Sequence, residues 1–140
     1  MLHLEQLELC NSIIDTIVRL KENLRGMSKP MITDLSLIEP IHKAIEQELT
    51  GKPRSIAKRV ELIILLYLFN PMLLTSRKHE TNGSFKEISR VMNIEMSNLS
   101  KYKTNLIWQY NTYREFRELT NTIYDKILLK LKENSMLDFQ

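Results

Sequence analysis

Residues 85–107 read FKEISRVMNIEMSNLSKYKTNLI, and the spacing of their apolar side chains decides the fold. Ile88, Met92, Ile94, Leu99 and Tyr102 stand in a stretch that is otherwise polar. A single amphipathic helix repeats every three or four residues. Here Met92 to Ile94 is a step of two, and Ile94 to Leu99 is a step of five. Those intervals predict two short helices with a sharp bend near Asn93.

The punctuation of the rest of the chain points to an all-α fold. No Pro or Gly follows Gly83, so the last 57 residues run without a strong breaker. Alternating β-branched runs bounded by turns are absent, which argues against strands. Leu7, Cys10, Ile14, Ile17 and Leu24 repeat at helical spacings, predicting a first helix over 3–24 with Gly26 placed to end it. Pro40 suits the first turn of a second helix, about 40–50, with Ile41, Ile45 and Leu49 on one face and Gly51 past its end. RSIAKRVELIILLYLF, residues 54–69, is apolar throughout its second half and is expected to be the central helix. Asn70 precedes Pro71 and is pushed out of helical geometry there. Asn82-Gly83 signals a turn, and Met72, Leu73 and Leu74 are placed to cover the core. Further helices are expected over 85–92 and from 96 onwards. Val60, Ile64, Leu65, Leu68, Ile88, Met92, Leu99 and Tyr102 should share one core.

The opening stretch also matches a known pattern. Counting Phe85 as the first of twenty positions, Ile88, Met92, Ile94, Leu99 and Tyr102 fall at apolar sites 4, 8, 10, 15 and 18. Small Ser89 stands where two helices approach closely, and Asn93 stands where a left-handed backbone is required, which Asn tolerates. The segment 85–104 resembles the helix-turn-helix of tri-helical DNA-binding proteins, and 54–104 does so with the preceding helix counted. It departs at Asn93, where Gly is usual, and at Glu95, where Ser or Thr would cap the second helix. The resemblance implies that the second helix enters the major groove. Its face would be Met96, Ser97, Ser100, Lys101 and Thr104, with Asn98 near the helix start. Lys86 and Arg90 would lie beside the DNA backbone, and Arg77 and Lys78 could reach phosphates from the loop.

Charge is distributed unevenly along the chain. Residues 1–50 carry five basic and eight acidic side chains, residues 51–117 twelve and five, and residues 118–140 three and four. The overall +3 therefore hides a middle segment of +7. A segment this basic is a candidate for polyanion contact.

Beyond Thr104, Leu106, Tyr110, Tyr113, Phe116, Ile123, Ile127 and Leu131 continue the helical spacing. The second helix either extends or restarts near Asn111-Thr112. IWQYNTYREF concentrates Trp108, Tyr110, Tyr113 and Phe116, read as packing at a hinge. There the C-terminal helix would fold back on the first helix or on another subunit. The Leu7–Leu24 and Phe116–Leu131 faces could pair within one chain or across a homo-oligomer.

Catalytic signals are missing. His3, His42 and His79 are distant in sequence, and there is no HExxH, CxxC or phosphate loop. Glu39-Pro-Ile-His42 has the spacing of half a di-iron motif without a second copy. Neither a metal nor any other cofactor is expected. The single Cys10 excludes an intrachain disulfide and reads as inert packing, and the seven Met residues read as core filling. The acidic N-terminus does not resemble a signal peptide. Val60–Phe69, the most apolar run, is too short to span a bilayer, so a soluble cytoplasmic protein is expected.

These observations divide the chain into an N-terminal helical segment over 1–50 for packing or oligomerisation, a helix-turn-helix domain over 51–110, and a C-terminal helix over 111–140. The function they imply is non-catalytic double-stranded DNA binding, as a transcriptional regulator. The alternatives are a phage or mobile-element assembly protein similar to small terminase subunits, or a helical protein-interaction module.

Overall fold

In the computed structural model, residues 4–28, 30–75 and 82–134 are described, and all regular structure among them is helical. A first helix, α1, spans Leu4–Ser28. A 3-10 turn at Leu35–Leu37 leads into α2, Ile38–Glu48, followed by α3, Arg54–Phe69, and the single turn α4, Met72–Thr75. Then come α5 (Ser84–Met92), α6 (Met96–Thr104), α7 (Leu106–Thr112) and α8 (Arg114–Glu133).

The central helix is α3. From Val60 to Phe69 every side chain except Tyr67 is buried, so this helix must be covered on most of its circumference. The cover comes from α2, α4, α5, α6 and α8. Ile38, Ile41 and Ile45 of α2, Ile88 of α5, Leu99 of α6 and Leu106 of α7 join it in one hydrophobic cluster. So do Ile123, Ile127 and Leu131 of α8, with Met92 and Tyr102 half-buried at its margin. Leu73 is buried and Leu74 half-buried, so α4 does cover the core. The α3 helix ends where expected, at Asn70 before Pro71.

Local chemistry sets several boundaries. The Asp34 carboxylate accepts hydrogen bonds from the Ser36 N–H and hydroxyl at 3.0 and 2.6 Å, opening the 3-10 turn. Those bonds hold Asp34 below its ordinary pKa, the Ser36 hydroxyl contributing most. Asn82 links α3 to α5: its amide donates to the Phe69 carbonyl at 3.0 Å, and its carbonyl accepts from the Ser84 N–H at 3.1 Å. Gly83 then adopts φ +76°, a left-handed conformation that an L side chain rarely takes.

Several expectations need correction. The α1 helix continues through Gly26 to Ser28, because one glycine costs a helix only about 1 kcal/mol and can be absorbed without a turn. Its apolar stripe is not buried: residues 4–23, Cys10 included, are all exposed. Accordingly α8 makes its main contacts with α2, α3 and α7, and none of comparable extent with α1. The α3 helix needs cover on several sides, and α8 brings Ile123, Ile127 and Leu131 to it. Lys126 and Lys130 fasten the same face to Glu48 of α2 at 3.4 and 3.0 Å.

The second helix of the bend does not extend. It stops at Thr104, whose hydroxyl donates to the Ser100 carbonyl at 2.9 Å, a back-bond that weakens a helical turn. The chain breaks again at Tyr113, near the expected restart. The aromatic run is only partly packing. Phe116 is half-buried, but Trp108 and Tyr113 are 58% and 52% exposed and meet edge to face at 5.6 Å. Met31 and Met96 are likewise exposed and fill no core.

Candidate nucleic-acid interface

The bend between α5 and α6 is built from the residues that the sequence pattern singles out. Asn93 adopts φ 55°, ψ 47°, the only positive φ of a non-glycine residue among those described. Its N–H donates to the Arg90 carbonyl at 3.2 Å, and the Ile94 N–H donates to the Ser89 carbonyl at 3.1 Å. This is the hydrogen-bond pair of a Schellman motif, with Asn in the place usually held by glycine. Ser89 does more than leave room. Its hydroxyl donates to the Ile94 carbonyl at 2.5 Å, clamping the strand of backbone that leaves the turn. Glu95 makes no side-chain cap at the start of α6.

The turn orients α6. Leu99 is fully buried and Tyr102 half-buried, so the opposite side faces water. Met96, Ser97, Asn98, Ser100, Lys101 and Thr104 are all exposed, a surface that is polar except at Met96. Beside it lies an open groove of about 490 Å³ lined by Lys58, Asn93, Glu95, Asn98, Lys101 and Tyr102. Lys58 comes from α3 and stands over the Tyr102 ring at 5.9 Å. Lys103 stands over Phe85 at 5.8 Å. Among the described residues Lys101 has no ion-pair partner. Glu95 is the acid at the groove and partly offsets the two lysines.

The other residues expected at the interface differ in availability. Lys86 is exposed on α5. Arg90 is exposed but engaged: it meets Glu87 at 2.5 Å and Glu39 of α2 at 3.6 Å. Glu87 raises the Arg90 pKa above its ordinary value, and Arg90 in turn holds Glu87 below the usual carboxylate range. Arg77 and Lys78 lie outside the described residues. Lys58 was not legible as a site residue, because 54–69 reads as a buried helix. The available signal was the polar first half of that helix, RSIAKR.

A second polar cluster also escapes the sequence reading. His42 meets Glu46 through Nε2 and Glu61 through Nδ1, whereas Glu39, which has the di-iron spacing to His42, faces Lys43 and Arg90. Glu61 lies at the start of the buried part of α3, next to Val60, and burial pushes its pKa up to about 7 against the opposing hydrogen bond from His42. The three side chains offer ligand atoms within 4.8 Å of one another, a donor set that divalent metals accept. The two carboxylates, however, take opposite nitrogens of the ring. An ion bound to one nitrogen would face only one of them. The arrangement better suits an imidazole that bridges two carboxyl groups, one at each ring nitrogen, and so supplies a polar partner to Glu61 buried against α2.

Among the described residues no helix is long and apolar enough to cross a membrane. No family model matches this chain, and neither a curated protein nor a solved structure matches it.

Proposed function

We propose that this chain is a cytoplasmic, non-catalytic, double-stranded DNA-binding protein of helix-turn-helix type. In this reading α3, α5 and α6 form the tri-helical core and α6 is the recognition helix. The role of transcriptional regulator is carried over from that resemblance. The observation that carries the reading is the left-handed turn at Asn93. It joins two nine-residue helices and leaves a largely polar face on the second. Ser97, Asn98, Ser100 and Thr104 can hydrogen-bond base edges, and Lys101 and Lys58 supply cations for phosphates at the groove beside them. Arg90 is a weaker contributor, because Glu87 and Glu39 already compete for its guanidinium.

Binding to a random duplex at two salt concentrations tests this. Affinity should fall steeply with salt, and Lys101→Ala should reduce the salt slope by about one. An unchanged slope, or no binding at low salt, rejects the proposal. The exposed Trp108–Tyr113 pair favours a second reading, a helical module that recognises protein. Salt-insensitive capture of a protein ligand, lost in Trp108→Ala, would select it.

A further inference from the structure

The 25-residue α1 leaves every side chain of residues 4–23 exposed. Leu7, Ile13, Ile14, Ile17, Val18 and Leu20 each leave 45–58% of their surface in water. At 3.6 residues per turn these side chains and Cys10 share one half of the helix circumference. Glu5, Glu8, Asp15, Arg19 and Glu22 take the other half. Helices in proteins draw most of their stability from packing of such a face. An exposed apolar surface this long marks an interaction site.

The charges on α1 narrow down what covers it. Helices that lie on anionic membranes carry Lys and Arg on the polar side. Here that side bears Glu5, Glu8, Asp15 and Glu22 against Arg19 between residues 4 and 23. The charge along the helix axis is, however, complementary to itself in one orientation. Residues 4–15 hold Glu5, Glu8 and Asp15 and no base, whereas residues 16–28 hold Arg19, Lys21 and Arg25 against Glu22. Lys21 is the one charged side chain on the apolar half of residues 4–23. A parallel pair of helices would bring two Lys21 ammonium groups together on the seam. An antiparallel pair separates them and sets each level with the uncharged Cys10 of the other helix. It also opposes the helix dipoles favourably.

Residues 4–23 of α1 run about 30 Å, and half of a cylinder about 10 Å across offers up to about 470 Å² over that length. Two copies together approach about 940 Å², the size of a small, reversible interface.

We propose that the apolar face of α1 is covered by the same face of a second copy, the two helices running antiparallel about a point between Ile14 and Ile17. The pairing is independent of DNA contact and would hold in its absence.

Sedimentation of the full chain at tens of micromolar should give twice the monomer mass. The double variant Ile14→Asp, Ile17→Asp should sediment as a monomer, with an unaltered unfolding transition for the core reported by Trp108 fluorescence. Orientation is read by disulfide capture. In the antiparallel pair Cys10 lies level with position 21 of the other copy, so Lys21→Cys should form a Cys10-to-21 cross-link between copies on mild oxidation. Wild type should form none. A monomeric wild type, or a dimer that survives the double substitution, overturns the pairing. Rapid Cys10-to-Cys10 cross-linking in the wild type overturns the antiparallel orientation.

Discussion

The helices α1 and α3 both carry long apolar stripes, yet they end in opposite environments. Residues 4–23 of α1 are all exposed, while α3 buries nine of the ten side chains from Val60 to Phe69. Apolar periodicity states that a face will be covered. It does not state what covers it. The α3 helix meets five neighbouring helices of its own chain, and its burial extends to the ionisable Glu61. The α1 helix meets none to a comparable extent and keeps its polar half well furnished with acids.

The sharpest way to break this comparison is truncation. Phe69 is fully buried, so Phe69→Ala should cost about 3–5 kcal/mol of stability in urea unfolding followed by Trp108 fluorescence. Val18→Ala on α1 should shift the same transition by no more than about 0.5 kcal/mol. Comparable losses at the two sites would mean that α1 is part of the core after all.

The buried acid of α3 gives the next effect. The folded-state pKa of Glu61, about 7, lies above its ordinary 4.5, so the folded chain holds a proton there that the unfolded chain has released. Its contribution to stability is present in full below about 4.5 and is lost as pH rises through about 7. Thermal unfolding should therefore show declining stability across that window. Glu61→Gln, which keeps a carbonyl to accept from His42 but cannot ionise, should flatten the decline. A Glu61→Gln profile that follows the wild type would show that another group governs it.

A smaller effect is expected at the bend. Asn93→Ala forces an L side chain without a local hydrogen-bonding group into the left-handed region and should cost about 1–2 kcal/mol. Asn93→Gly should be neutral or slightly stabilising, since glycine holds that conformation without steric cost. Equal destabilisation by both would point to a lost Asn side-chain contact and not to backbone conformation.

The smallest effects on stability fall on the exposed cations. Arg90→Ala and Lys101→Ala should each leave stability within about 0.5 kcal/mol of wild type, because surface pairs contribute little. They should separate in DNA binding. Lys101 has no ion pair to exchange among the described residues, so its loss should weaken binding more than loss of Arg90, which Glu87 and Glu39 already engage. The reverse order in a titration would show that the α5 side, and not the groove beside α6, faces the duplex.

What the sequence determined by itself is local. The bend at Asn93, the stop at Asn70-Pro71 and the central place of 54–69 follow from backbone preferences and helical spacing within a few residues. Ser89 could be read as small for close approach, although its hydroxyl clamp on Ile94 could not. Only the tertiary structure decided which apolar faces meet. It set α8 on α2 and α3 through contacts such as Lys130 to Glu48, 82 residues apart, and left α1 in water. The same holds for His42 and Glu61, 19 residues apart, and for Lys58 over Tyr102. The physical reason is that the hydrophobic effect has no direction: it demands burial in proportion to apolar area, and any complementary face supplies it. Hydrogen-bond geometry at a turn is directional and short in range, so a few neighbouring residues suffice to specify it.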